Sequence, residues 1–300
     1  MPESRIDFPD RHLEHLRNFA KALCGLVATD RAGRKAPRLC RAPDLAEASL
    51  RLEKASSVVI ITGFLVPEAR KAETDGPPGS AVLGRALQRL GKQCLIVTDS
   101  ACLDVVQACS GALRGPGVIA VPGAEEALET GPDCLVYVER LGQAEDGCYY
   151  NMRGEDISSW TSPLDGAAAI ARERGIGVIA LGDGGNEAGM GSLGESLRPL
   201  VPGFQSCLCS VKADICLPVD VSNWGCYALS ALLSSLSGQW LGHSPEEERA
   251  MLESMMRQGA VDGATRKRGM TVDGFSEQEN RVLVESVRKA WEAAAEGTVA

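Results

Sequence analysis

The chain is poor in the residues that dominate several common kinds of functional site. Of its 300 residues only 4% are aromatic and three are histidine, and the net charge of −9 leaves no excess of basic residues. This acidic balance argues against a nucleic-acid surface, which normally shows a basic stripe. A small anionic substrate stays open, because the local field of a site can oppose the net charge. We therefore expect a small-molecule substrate and no nucleic-acid partner.

Long apolar runs are also missing. No uninterrupted apolar segment approaches the length that spans a membrane, and the N-terminus lacks the apolar region of a signal peptide. The sequence therefore predicts a soluble, cytoplasmic protein with no membrane partner. The sequence does not decide whether the protein forms a homo-oligomer.

Several nucleotide-binding and nucleophile motifs are absent. There is no Walker A sequence, no G-x-G-x-x-G directly after the first predicted strand and no G-x-S-x-G elbow. Eleven cysteines are present, but no C-x-x-C pair occurs among them. A zinc site is therefore weakly supported, and reduced core cysteines are the favoured interpretation.

The sequence does contain a regular alternation of apolar runs and helical patterns. Val/Ile-rich strands are predicted at 57–62, 93–98, 117–121, 134–138 and 176–181, with one further candidate at 215–219. Such alternation is typical of βαβ units and a parallel sheet buried on both faces. We predict a single α/β domain over residues 1–300, with a mostly parallel Rossmann-like sheet and helices on both faces. Extra helices are expected in an N-terminal segment (1–50) and at the C-terminus (276–296), and separate terminal domains are the alternative.

The most informative segment is the glycine-rich string Ala180–Gly191. It follows a predicted strand and places five glycines around Asp183, Asn186 and Glu187. Dense glycine is tolerated mainly where the backbone needs positive φ or approaches a ligand closely. A helix-capping turn would explain one of the three polar residues but not all of them. Since ligands of open α/β sheets bind beyond the carboxyl ends of the strands, we predict that this loop is a wall of the active site.

Three further loops supply candidate residues. The loop Glu73–Gly79 opens a predicted helix whose free N–H groups suit a carboxylate or a phosphate. The segment 139–157 contains two arginines, which either bind a carboxylate in a bidentate way or form surface ion pairs. The third loop is Val221–Gly225, in which Asn223 is equally a helix cap or a ligand contact.

The carboxylates of these loops predict acid–base or metal-assisted chemistry on a small polar molecule. We expect Asp75, Asp99, Asp183 and Glu187, with Glu139 as a further candidate, to approach one another. Like charges in one cleft raise one pKa, which yields an acid and a base. No motif requires a cofactor, but oxygen ligands would select Mg²⁺ or Mn²⁺, with Asp183, Glu187 and Asp99 as candidate metal ligands.

The same loops, in the same order, resemble the D-glutamate cyclase family. The matching strings include Thr62-Gly-Phe64, Glu73–Gly79, Val97-Thr-Asp99, Tyr150–Gly154, Gly182–Glu187, Ser222–Gly225 and Gly259–Gly263, and the resemblance covers about residues 45 to 275. It implies a hydro-lyase of D-amino acid metabolism that cyclises D-glutamate to 5-oxo-D-proline with loss of water. In animal members this region resembles the C-terminal part of a longer mitochondrial protein. Since the sequence shows neither that other part nor a transit peptide, we expect it to resemble the stand-alone bacterial form. Ala188 departs from the bulkier apolar residue expected there, which should alter packing and not chemistry.

The expected reaction assigns candidate roles to these residues. Asp183, Glu187 and Asp75 are the candidate acid, base or metal-holding groups. The candidates for substrate binding are Gly63, Thr74, Gly76, Pro77, Gly79, Asn151, Arg153, Gly184, Gly185, Asn186, Ser222 and Asn223. Backbone N–H groups of the two glycine-containing loops would hold the oxyanion, and Arg153, or failing it Arg140, would clamp the α-carboxylate. Two alternatives stay open: another metal-assisted enzyme acting on an amino acid or lactam, and a non-catalytic amino-acid-binding module.

Overall fold

A computed structural model describes residues 10–296 and contains a six-stranded parallel sheet. The strands along the chain are β1 (Ser57–Thr62), β2 (Leu65–Val66), β3 (Lys71–Ala72), β4 (Gln93–Thr98), β5 (Gly117–Ala120), β6 (Cys134–Val138), β7 (Gly177–Gly182), β8 (Ile215–Pro218), β9 (Thr271–Val272) and β10 (Phe275–Ser276). The large sheet has the order β5-β4-β1-β6-β7-β8. Two antiparallel ribbons, β2 with β3 and β9 with β10, lie outside it.

Helices cover both faces of this sheet. They are α1 (Asp10–Val27), α2 (Ala42–Lys54), α3 (Pro77–Arg89), α4 (Leu103–Leu113), α5 (Ala124–Ala127), α6 (Ala167–Glu173), α7 (Gly194–Leu197), α8 (Ser222–Ser237), α9 (Pro245–Arg257) and α10 (Glu277–Glu296). Because side chains alternate along a strand, Val58 and Ile60 of β1 join a large core with α1 to α4 and α8 to α10. Val59 and Ile61 join a smaller core with α5 and α6 on the opposite face. The predicted α/β fold with a parallel sheet is confirmed.

The strand order creates a crevice between β1 and β6. From β1 the chain runs outward through β4 to β5, then returns to the other side of β1 and runs outward again through β7 to β8. This is the doubly wound order, in which the loops after the two central strands diverge and leave room for a ligand. Here the segment that starts at Gly63 follows β1, and Glu139 follows β6. The fold therefore places the candidate loops at one edge of the sheet.

Helix length and composition bear on the membrane prediction. Within residues 10–296, no helix is long and apolar enough to cross a membrane.

Candidate active site

A cavity of about 290 Å³ lies at the carboxyl ends of the strands, beside this crevice. One part of its lining is acidic, one part is basic and one part is apolar. The residues that define these parts are Glu73, Glu139, Asp183 and Asp273, then Arg34, Arg153 and Arg266, and finally Phe64, Leu65, Val66 and Pro67. A cavity with both signs of charge and an apolar wall suits a small charged molecule with an aliphatic portion.

Three buried carboxylates converge at the acidic part of the site. One oxygen each of Asp75, Glu139 and Asp183 lies within 4.8 Å of the other two. The three residues follow β3, β6 and β7, so the fold brings them together from separate parts of the chain. Burial, reinforced by neighbouring carboxylates, raises the pKa of each of the three groups well above its ordinary value. Such a cluster can hold protonated and ionised members side by side.

Two further carboxylates extend this cluster. Glu73 is buried beside Gly263, where an added Cβ would overlap the Glu73 carboxylate. Burial and the charge of Asp273 raise the pKa of Glu73. Although burial of Asp273 opposes ionisation, the charge of Arg34 and hydrogen bonds hold the pKa of Asp273 below its ordinary value. The five carboxylates therefore differ in their readiness to hold a proton.

Arg34 neutralises part of this charge. Its guanidinium forms an ion pair with Asp183 and a second one, at 3.1 Å, with Asp273. Arg34 lies between α1 and α2, far from both acids in sequence. The sequence alone indicates only a basic loop with Gly and Pro there, so sequence reasoning missed this residue.

Glu139 occupies a strained position at the end of β6. Its φ of 45° lies in the left-handed region, which residues other than glycine seldom adopt. The hydroxyl of Ser222 donates a hydrogen bond of 2.7 Å to Oε2 of Glu139. Strained backbone of this kind is common at functional sites. Sequence reasoning named Glu139 only as a further carboxylate, whereas the structure makes it a central one.

Glu187 lies near the cluster and its charge helps to raise the pKa of Glu139, but it is not one of the three converging carboxylates. Its carboxylate turns back beneath its own loop and accepts the backbone N–H groups of Asp183, Gly184 and Gly185, at 3.2, 2.8 and 2.7 Å. A Cβ on Gly182 would lie 2.8 Å from Glu187 Oε2, so glycine there makes room for the carboxylate. Glu187 therefore supports the loop that presents Asp183. The predicted use of the Gly184 and Gly185 N–H groups as oxyanion donors needs correction, because Glu187 already occupies them.

The loop Glu73–Gly79 is likewise bonded within the protein. The side-chain oxygen of Asn223 accepts the N–H groups of Gly76 and Gly79 at 3.0 and 2.7 Å. Pro77 is the first residue of α3, and the Thr74 hydroxyl donates to the carbonyl of Thr271 at 2.8 Å. The N–H groups of Gly76 and Gly79, which were expected to bind an anion, are therefore already hydrogen-bonded to Asn223. The loop therefore frames the site, and its Asp75 contributes a carboxylate.

Asp75 and Asn223 act as caps on two facing helices. Asp75 accepts the N–H groups of Ser222 and Asn223, both at 2.8 Å, at the start of α8. Asn223 in turn caps the start of α3. The structure therefore shows Asn223 capping the neighbouring helix α3, and not the start of its own helix α8, which was the predicted alternative.

The structure also separates Asp99 and Arg140 from the cavity. Asp99 Oδ2 lies 2.7 Å from Arg140 Nη1, and both side chains are buried. Arg140 further donates to the carbonyls of Gly63 and Ser162, at 2.8 and 2.6 Å. Asp99 is thus committed to an internal ion pair and lies outside the three-carboxylate group. Arg140 is equally unsuited to clamp a substrate.

Arg153 remains in place to contact a ligand. It lines the cavity, and its Nη2 donates to the carbonyl of Ala264 at 2.9 Å. Asn151 accepts the N–H of Arg153 at 2.9 Å and so fixes the turn that carries it. On the opposite loop, the Asn186 amide donates to the carbonyl of Tyr150 at 2.8 Å and ties the two loops together. Asn151 itself lines the cavity, whereas Asn186 positions the loop beside it.

Comparison with known proteins identifies the family. The chain is 35% identical over 239 residues to the mitochondrial D-glutamate cyclase of Homo sapiens, a match that covers 71% of this chain and 38% of that protein. The matched region is thus well under half the length of this relative. Among solved structures, an exopolyphosphatase-related protein from Bacteroides fragilis is 10% identical with a TM-score of 0.44, covering 84% of this chain and 58% of that chain. The model of the D-glutamate cyclase-like, C-terminal family matches residues 23–288, and the chain therefore belongs to that family.

Proposed function

We propose that this protein cyclises D-glutamate to 5-oxo-D-proline and releases water. Membership of the family supports a reaction of this type, as does the name of the human relative. The observation that carries the proposal is the convergence of Asp75, Glu139 and Asp183 within 4.8 Å beside a cavity of mixed charge.

The reaction needs both a proton acceptor and a proton donor. Ring closure joins the α-amino nitrogen to the carbon of the γ-carboxylate and breaks one of that carbon's bonds to oxygen. The ammonium group loses two protons, and the departing oxygen gains two and leaves as water. Buried carboxyl groups with raised pKa values can accept protons from the ammonium group and deliver protons to the departing oxygen. We assign this exchange to Glu139 and Asp183, which both line the cavity, with Asp75 behind them.

The basic part of the cavity would orient the substrate. Arg153 lines the cavity and has a carbonyl as its hydrogen-bond partner, so it can form a paired contact with the α-carboxylate. Arg266, by contrast, is already paired with Glu68 and Glu155. The α-carboxylate clamp is therefore assigned to Arg153. The apolar residues Phe64 and Val66 would face the methylene groups.

A divalent cation is a second proposed component. Three carboxylate oxygens at mutual distances within 4.8 Å are a donor set that suits Mg²⁺ or Mn²⁺. Asp75, Glu139 and Asp183 would hold the ion in their ionised forms, and it would then replace proton donation in making the γ-carboxylate more electrophilic. Because Arg34 contacts Asp183, the ion and the guanidinium would compete for that carboxylate.

Product analysis tests this proposal. The purified protein is incubated with D-glutamate or L-glutamate, with Mn²⁺, Mg²⁺ or a chelator, and chiral chromatography with mass spectrometry follows 5-oxoproline. We expect 5-oxo-D-proline in step with loss of D-glutamate, no product from L-glutamate, and a lower rate with chelator. Stabilisation by D-glutamate without product would overturn the proposal in favour of a binding module. Turnover only of another amino acid or a lactam would overturn it in favour of a different enzyme.

A further inference from the structure

Two cysteines lie at the ends of the segment that carries Arg34. Cys24 belongs to α1, and Cys40 follows a short 3₁₀ helix, Ala36–Leu39. Their sulfur atoms are 3.7 Å apart although the residues are 16 positions apart in sequence. Both side chains are free thiols and partly exposed. They are therefore close enough, and accessible enough, to react with each other.

Beyond the end of α1, residues 28–39 lead to Cys40 and are held by polar contacts and by the packing of Ala36 and Leu39. Asp220 accepts the N–H groups of Thr29 and Arg31 at 2.8 and 2.9 Å. Asp30 accepts the N–H of Lys35 at 2.8 Å. Since these contacts set the path of the segment, they also set the position of Arg34 against Asp183 and Asp273. A covalent bond between the two ends would restrict the same path.

We propose that Cys24 and Cys40 form a thiol–disulfide modification site that locks residues 28–39, with a small disulfide such as oxidised glutathione as the oxidant. The proposal rests on the proposed function only in treating Arg34 as part of the active site. Formation of the disulfide itself does not depend on the reaction that the site performs.

The chemistry balances as two successive exchanges. The Cys24 thiolate attacks one sulfur of the oxidant, forming a mixed disulfide and expelling one glutathione thiolate. The Cys40 thiol then loses its proton and attacks the Cys24 sulfur. The Cys24–Cys40 bond forms, the mixed disulfide bond breaks, and the second glutathione thiolate leaves. Two protein thiols are oxidised by two electrons, and the small disulfide is reduced to two thiols.

The surroundings favour Cys24 as the attacking group. A hydrogen bond with Cys40 lowers the pKa of the Cys24 thiol to about 7, although burial and the charge of Asp44 act in the opposite direction. The same contact and burial raise the pKa of Cys40. An attacking thiol whose pKa lies near ambient pH reacts fastest in such exchanges.

Cys216 is the competing partner that an experiment must separate. Its charge would raise the pKa of Cys40, so it lies in the same neighbourhood. Its sulfur contacts the Met190 sulfur at 3.3 Å. Because Cys216 is buried whereas Cys24 is partly exposed, we expect the small disulfide to react at Cys24.

Peptide mapping in glutathione buffers tests the pairing. The full chain is reduced, equilibrated with reduced and oxidised glutathione, and digested without reductant. We expect a peptide that joins Cys24 to Cys40, lost on reduction. Cys40→Ser should instead accumulate glutathione on Cys24, whereas Cys148→Ser, a matched change at another partly exposed cysteine, should leave the pairing intact. Unmodified thiols in the oxidising buffer, or a bond between Cys40 and Cys216, would overturn the proposal.

Hydrogen exchange tests the lock. In the oxidised form, amides of residues 28–39 should exchange several-fold more slowly, because a disulfide restricts local opening. A Cys24–Cys40 bond with unchanged exchange in this segment would contradict the proposed effect. Neither readout uses turnover, so the pairing and the lock stand or fall separately from the cyclase reaction.

Discussion

Asp75 and Asn223 cap each other's helices across the crevice between β1 and β6. Asp75 accepts the N–H of Asn223 at 2.8 Å, while Asn223 accepts the N–H of Gly79 at 2.7 Å and thereby satisfies the start of α3. The N-termini of α3 and α8 thus meet at the carboxylate cluster. Their partial positive charge favours negative groups nearby. The arrangement explains how the fold keeps several carboxylates together in a buried place.

Removal of the Asn223 cap should affect both stability and turnover. Asn223→Ala leaves the N–H groups of Gly76 and Gly79 without their acceptor, and caps of this kind contribute about 1–2 kcal/mol to the free energy of unfolding. We also expect loss of turnover, because the Asn223 side chain fixes the Thr74 carbonyl and the Gly76 N–H on either side of Asp75. Urea denaturation and the product assay measure the two effects.

Ser244→Ala is the matched control for Asn223→Ala. Ser244 caps α9 away from the cavity lining, so its loss should lower stability without a comparable loss of turnover. Equal turnover of Asn223→Ala and wild type, at a temperature where both are folded, would show that the mutual caps do not position the site.

Glu187→Gln should behave as a loss of support for its loop. The carboxylate accepts three backbone N–H groups, whereas the amide has one oxygen to accept them and adds an NH₂ group that faces donors. We expect a loss of about 2 kcal/mol of stability and reduced turnover. Because the Glu187 charge helps to raise the pKa of Glu139, the pH–rate profile should move to lower pH while keeping both limbs. Glu195→Gln, on an exposed residue of α7, serves as the control. A pH–rate limb that disappears in Glu187→Gln would instead assign the carboxylate a direct proton-transfer role.

These results show which features the sequence could predict. The bounds of β1 and β4 agree with the predicted strands, because continuous Val/Ile runs between helical patterns define buried parallel strands. The glycine loop was correctly placed at the end of β7. The inward turn of Glu187 could not be predicted, because sequence spacing does not tell which way a loop side chain points. The pairing of Arg34 with Asp183 depends on tertiary packing between distant segments, which leaves no local pattern.

Stability should fall as pH rises above the ordinary carboxyl pKa values when metal is excluded. The folded-state pKa of Glu139 lies above its ordinary value of 4.5, because burial and nearby carboxylates disfavour the charged form. Its contribution to stability is therefore fully present below the unfolded pKa and is lost as pH rises through the folded pKa. Glu73, Asp75 and Asp183 have the same sign.

Glu139→Gln isolates this effect. The neutral amide should flatten the dependence of the free energy of unfolding on pH above the ordinary glutamate pKa of 4.5, measured in chelator by denaturant titration. Asp273 has a lowered pKa, so its contribution is lost only as pH falls below the ordinary value of 3.8, outside this window. A slope as steep as in wild type would contradict the raised pKa of Glu139.

Arg34→Gln should lower the free energy of unfolding of the protein but raise the affinity of the carboxylate cluster for a cation. The change leaves Asp183 and Asp273 without their guanidinium partner, and loss of one member of a largely buried ion pair typically costs about 3 kcal/mol. With the competing positive charge gone, calorimetry should show tighter binding of Mn²⁺ than in wild type. Arg38→Gln, which affects a more exposed pair with Asp30 in the same segment, should change neither property as much. Weaker Mn²⁺ binding in Arg34→Gln would argue against a cation at these carboxylates.

The most direct test of the account is the turnover of D-glutamate by Asp183→Asn. Asp183 lines the cavity, belongs to the three-carboxylate group and contacts Arg34. Its replacement by asparagine keeps the size of the side chain while removing the titratable carboxyl group. We predict that 5-oxo-D-proline formation falls by a factor of about 100 or more, as expected for loss of a proton-transfer group, while the variant stays folded. Formation of 5-oxo-D-proline at the wild-type rate by folded Asp183→Asn would contradict the account.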